Sequence, residues 1–148
     1  MDCAAASGFQ WKTYSNARFG YSLEYPTALA PQPEPTNCDG RQFISSDKKK
    51  NLLAFGSYNA LLLTVEQLYK KTLDEYKEEG SIVTYKMKSD KSFVISGYKG
   101  GTVFYRKTIR RIIDKESEVD ATIIFTYPSS EKSVFDKVTE RISKSLRF

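Results

Sequence analysis

Between Ser81 and Pro128 the chain runs through four stretches of alternating residues, separated by turns too short for a crossover. In Ser81–Lys88, Ile82, Thr84 and Lys86 alternate with Val83, Tyr85 and Met87, the pattern of a half-buried strand. Ser92–Tyr98 follows, then the Lys99-Gly100-Gly101 turn, then a long strand over Thr102–Ile113. A charged turn at Asp114–Glu118 leads into Asp120–Tyr127, with Ile123, Ile124 and Phe125 at its centre. Strands joined by tight turns run antiparallel. The segment is therefore a meander, and its apolar face needs a cover.

The rest of the chain supplies more strands and two covers. Trp11–Tyr14 and Tyr21–Tyr25 read as strands around an Asn16/Gly20 turn, and Gln42–Ser45 and Leu52–Gly56 as two more. Residues 26–38 carry Pro26, Pro31, Pro33 and Pro35, so an extended loop that cannot pair continuously is expected there. Thr64-Val65-Glu66-Gln67 is a capping box, opening a helix that stops at Gly80 with Val65, Leu68, Tyr69, Leu73 and Tyr76 on its apolar face. A second helix starts at Ser129-Ser130-Glu131, with hydroxyl caps and an apolar face of Val134, Phe135, Val138, Ile142 and Leu146. The expected fold class is α+β, an antiparallel sheet of six to seven strands packed by two amphipathic helices. Residues 1–10 read as an N-terminal tether and 11–148 as a single domain.

Composition mostly subtracts chemistries. The 148 residues include no histidine, which removes His-dependent nucleophilic catalysis and His-ligated zinc. No phosphate-binding glycine loop is present: Gly97, Gly100 and Gly101 belong to a hairpin. Glu78-Glu79 and Glu116/Glu118 sit at a helix end and in a turn, where solvated charge is expected. Catalytic residues, metal and cofactor are therefore expected to be absent. The formal charge of +5 is mild, so no nucleic-acid partner is expected. Lys48, Lys49 and Lys50 form the only basic triplet and read as a solvated turn. No run reaches the ~18–20 apolar residues of a membrane span; peripheral or lipid-anchored association stays open.

Two features single out residues. In Thr102–Ile113, Arg106 and Arg110 share a strand face, about 13–14 Å apart. With Tyr98 of the neighbouring strand they could bind an acidic partner; alternatively they pair with Glu116, Glu118 or Asp120 across the hairpin. The second feature is Cys3 and Cys38, the only cysteines. The small residues of Met1–Gly8 suit a tether behind a removed signal, which implies a periplasmic or secreted protein and favours pairing. A Cys3–Cys38 disulfide would close a ring of ~35 residues, worth about 3–4 kcal/mol. A lipid-modified Cys3 and two free thiols are the alternatives.

The stretch Tyr14–Pro26, the Asn37-Cys38-Asp39-Gly40-Arg41-Gln42-Phe43 turn, Phe125–Pro128 and the Ser145–Phe148 tail together resemble the Mog/PsbP-like superfamily, including exported DcrB-type domains. The resemblance implies an αβα sandwich with no catalytic residues to transfer, and accessory, assembly or chaperone roles through protein contacts. Relatives often have Gly where this chain has Cys38, which strengthens the bridge and suggests a turn without positive φ. The function expected is a non-enzymatic exported accessory protein. An immunity protein against a secreted toxin is one alternative; a small-ligand carrier or a minor carboxylate-dependent enzyme is another.

Overall fold

The computed structural model describes residues 9–148. Strands β1 (Trp11–Ser15) and β2 (Ser22–Pro26) pair as a separate hairpin. The main sheet contains β3 (Leu29–Pro31), β4 (Gly40–Ser45), β5 (Asn51–Tyr58), β6 (Ile82–Lys88), β7 (Ser92–Lys99), β8 (Thr102–Asp114) and β9 (Ser117–Pro128). Its seven strands lie in the order β3-β4-β5-β9-β8-β7-β6, every pair antiparallel. Helix α1 (Val65–Glu78) links β5 to β6, and α2 (Lys132–Ser145) follows β9 through a 3-10 turn at Ser129–Glu131. The fold is α+β, with the meander as read from the alternation.

Cross-strand partners share a face, so the register divides the side chains. Leu52, Ala54, Ala121, Ile123, Phe125 and Tyr127 point to one side. There Phe135, Val138 and Ile142 of α2 and Tyr14, Leu23 and Tyr25 of the β1–β2 hairpin close the main core. Phe93, Ile95 and Phe104 point to the other side and meet Val65, Tyr69 and Leu73 of α1 in a smaller core. Tyr76 stacks on Phe104 with ring centroids 4.5 Å apart. The Thr64 capping box forms in full, and Gly80 ends the helix at φ +86.

Several expectations are corrected. The proline-rich segment contributes a three-residue edge strand, Leu29–Pro31, because an edge tolerates a missing donor. Strand β6 is largely exposed, since it lies at the opposite edge and α2 packs over β9, β8 and β2. No hydroxyl caps α2; its N-cap, Glu131, instead grips Lys50 at 3.0 Å. Lys50 is therefore buried, held also by Asp47 at 2.6 Å, and the lysine triplet is not all solvated. Val134 is half exposed, so the apolar stripe of α2 is narrower than its spacing suggests. Cys38 does adopt positive φ, +55: its N–H donates to Pro35 O at 3.0 Å while its carbonyl accepts from Asn16 Nδ2 at 3.0 Å. Cys38 is exposed, and its proposed bridge to Cys3 lies outside the described residues.

Gly40 allows β4 to run close against β5. A Cβ there would collide with the Ala54 carbonyl oxygen and approach Phe55 Cα to 2.7 Å. Gly40→Ala is expected to cost about 2–3 kcal/mol in urea unfolding, against about 1–2 kcal/mol for Gly80→Ala, which meets only backbone strain.

Candidate interaction surface

Arg110 and Asp120 face each other across the β8–β9 ladder. Arg110 donates through Nε to Asp120 Oδ1 at 2.7 Å and through Nη2 to Oδ2 at 3.0 Å. The two side chains are only 4% and 7% exposed. The hydrogen bonds to Asp120 raise the guanidinium pKa further, against the opposing effect of burial. Arg110 also donates through Nη1 to Leu63 O at 2.6 Å and lies 3.5 Å from Glu118. Its charge is answered inside the protein, the pairing alternative read from the sequence.

This pair braces the loop between β5 and α1. Asn59 Nδ2 donates to Leu63 O and to Glu118 Oε1, each at 2.8 Å, and Asn59 Oδ1 accepts from Leu63 N–H at 3.0 Å. The clamp holds Leu61 and Leu62 outward, 72% and 77% exposed. Leu62 sits at φ +56, a left-handed conformation costing about 1–2 kcal/mol for a bulky residue. Tyr58, Ile112 and Ile113 at the same end of the sheet are also exposed.

Arg106 shares its strand face with Arg110 but has a different setting. Its cross-strand partners are Ile95 and Ile124, not acids. Its Nε is buried with no hydrogen-bond partner among the described residues. Leaving such a group unanswered costs about 1–3 kcal/mol. Helix α1 lies over β6, β7 and Phe104, and among the described residues no helix covers the remaining sheet on this side. Leu53, Ile44 and Ile124 are left partly exposed there, beside Arg106.

Tyr98 is elsewhere. It pairs with Val103 and so faces the α2 side, away from both arginines. It lines a groove of about 640 Å³ between α2 and strands β6 to β9, with Tyr85, Tyr105 and Tyr127. Tyr127 donates to Asp136 Oδ1 at 2.6 Å, and the Tyr105 and Ser143 hydroxyls share a hydrogen bond of 2.8 Å. Burial is the largest cause raising both phenols, so they stay neutral near pH 7. Lys107 donates to Ser143 O at 2.8 Å beneath the end of α2, and burial lowers its pKa. Among the described residues no group of three or more Cys, Asp or Glu could hold a metal, and no helix is long and apolar enough to cross a membrane.

The fold has solved counterparts. Cyanobacterial PsbP from Synechocystis superposes with a TM-score of 0.64 at 9% identity, over 99% of this chain and 97% of that one. The Saccharomyces cerevisiae Ran-binding protein Mog1p gives 0.60 at 8%, over 95% and 96%. LpqN of Mycobacterium tuberculosis, described as involved in cell envelope biogenesis, gives 0.61 at 12%, over 93% and 90%. No family profile and no curated protein sequence matches. One helix on each side of an antiparallel sheet, matched over nearly the whole chain, defines the Mog/PsbP-like fold. At these identities the likeness establishes that fold alone.

The sequence did not single out Leu61 and Leu62, which lie between a strand and a capping box with no motif of their own. The buried pair beneath them is testable. Arg110→Met strands Asp120 in the interior and is expected to cost about 3–5 kcal/mol in chemical unfolding, much of it recovered in Arg110→Met/Asp120→Leu.

Proposed function

We propose that this chain is a non-enzymatic accessory protein, periplasmic or secreted, that works by contact with another protein. The observation that carries the reading is the Leu61–Leu62 loop. Two large apolar side chains are held in water by Asn59 and a buried ion pair, at a cost in backbone strain. Strain kept at an exposed apolar loop is common where a surface is used. Covering both leucines would return about 1.5–3 kcal/mol each. The open half of the sheet beside the loop extends the surface toward Pro33 and Pro35, which line a shallow cavity with Leu53 and Phe55.

The neighbouring folds are compatible with this role: Mog1p is described as Ran-binding and LpqN as acting in envelope biogenesis. A DcrB-type domain is our subclass reading, and an immunity protein blocking a secreted toxin is its specialised form. The tyrosine groove favours a second reading, carriage of a small ligand between sheet and helix. Of the carboxylates considered for an enzyme, Glu118 already faces Arg110 and Asn59.

A photo-crosslinking residue at Leu62, introduced in the producing cell, is expected to give one discrete protein adduct that Leu61→Asp removes. The same residue at Val134, exposed on the opposite side, should give none. No adduct at Leu62, or equal adducts at both positions, would sink the reading. Export carries its own expectation, a Cys3–Cys38 bridge. Thiol titration of the unreduced, denatured protein should find no free thiol, and two would overturn the bridge.

A further inference from the structure

Arg106 is a cation whose partner is missing from the described residues. Its Nε is buried and makes no hydrogen bond. Beside it lies a cavity of about 160 Å³ between the β5–α1 loop, the start of α1 and the sheet. Phe55, Leu61, Leu63 and Leu68 make its walls apolar, and Thr122 stands at its floor. Of the polar residues on its lining, Asn59, Asp120 and Thr122 are engaged within the protein, and Ser57 and Tyr58 add two hydroxyls at its exposed side. Both Asp120 oxygens accept from Arg110, and Thr122 shares its hydroxyl hydrogen bond with Thr108 at 2.8 Å. A guanidinium at the edge of an apolar slot recognises a group that is anionic at one end and apolar behind it. A carboxylate fits the fork with two parallel hydrogen bonds. The volume suits one short aliphatic stem.

We infer that Arg106 anchors a carboxylate carried on a short apolar stem, seated between Leu61 and Leu68. The carboxylate has two possible sources, a free aliphatic acid or a glutamate side chain of a protein partner. The second source rests on the protein-contact reading above; the first does not.

The test uses the full chain in solution. Sodium hexanoate, hexan-1-ol and the blocked peptide acetyl-Leu-Glu-Leu-amide are titrated while the Arg106 Nε–H resonance and the Leu61 and Leu68 methyls are followed by NMR. Hexanoate, the peptide or both should move these signals saturably, with hexanol at least tenfold weaker. Arg106→Gln should weaken binding at least tenfold, and Arg106→Lys, which keeps charge but loses the fork, should fall between and serves if the glutamine variant does not fold. Hexanoate binding alone assigns a small acid; peptide binding alone assigns a protein carboxylate. If neither acid saturates, if hexanol matches hexanoate, or if affinity is unchanged in both variants, the inference is overturned. Its failure leaves the Leu62 cross-link result standing. Loss of that cross-link with hexanoate still bound removes the protein reading and keeps the anchor.

Discussion

The buried Arg110–Asp120 pair fixes more of this molecule than its size suggests. It ties the two longest strands together near their shared turn, where side chains would otherwise splay. Its third hydrogen bond reaches Leu63 and so sets where the chain leaves β5 and enters α1. A desolvated pair of this kind adds little net stability beyond what apolar residues would give. What it adds is a position: the loop carrying Leu61 and Leu62 rests on a bidentate contact with one geometry.

The second organising fact is uneven cover. On one side α2 and the β1–β2 hairpin close a continuous core over β3, β4, β5, β9 and β8, leaving Tyr85, Met87 and Tyr98 of β6 and β7 exposed. On the other side α1 works alone and reaches only one end. One helix about 10–12 Å across cannot shield strands spaced about 4.8 Å apart over the full width. The apolar residues of β4, β5 and β9 beyond its reach are thus a geometric consequence of having one helix there. Arg106 sits at the boundary between the covered and uncovered halves.

Much of this was legible in the residues. Alternation with short turns required an antiparallel meander, and the capping box placed the start of α1 to the residue. Arg110 pairing with an acid across the hairpin was also readable, because Asp120 lies in the returning strand. What separated Arg106 from Arg110 was register: four residues along the same face, the opposing residue is Ile124 rather than Asp120. The error of grouping Tyr98 with the arginines had a remedy in the sequence. Taking Gly100-Gly101 as a two-residue turn pairs Lys99 with Thr102 and Tyr98 with Val103, which puts Tyr98 on the far side. The burial of Lys50 had no such local signal, since Glu131 is 81 residues away.

The two borders of the sheet bear on how such a surface can exist at cellular concentration. At one border β3 has three residues and ends in Pro31; at the other β6 is interrupted by a bulge between Val83 and Tyr85 and carries Lys86 and Lys88. Neither offers a long, regular row of backbone donors and acceptors to a second chain. Copies that meet through their leucines therefore find no long backbone ladder at the borders of the main sheet. The apolar surface can stay open to a chosen partner without seeding fibres of its own kind.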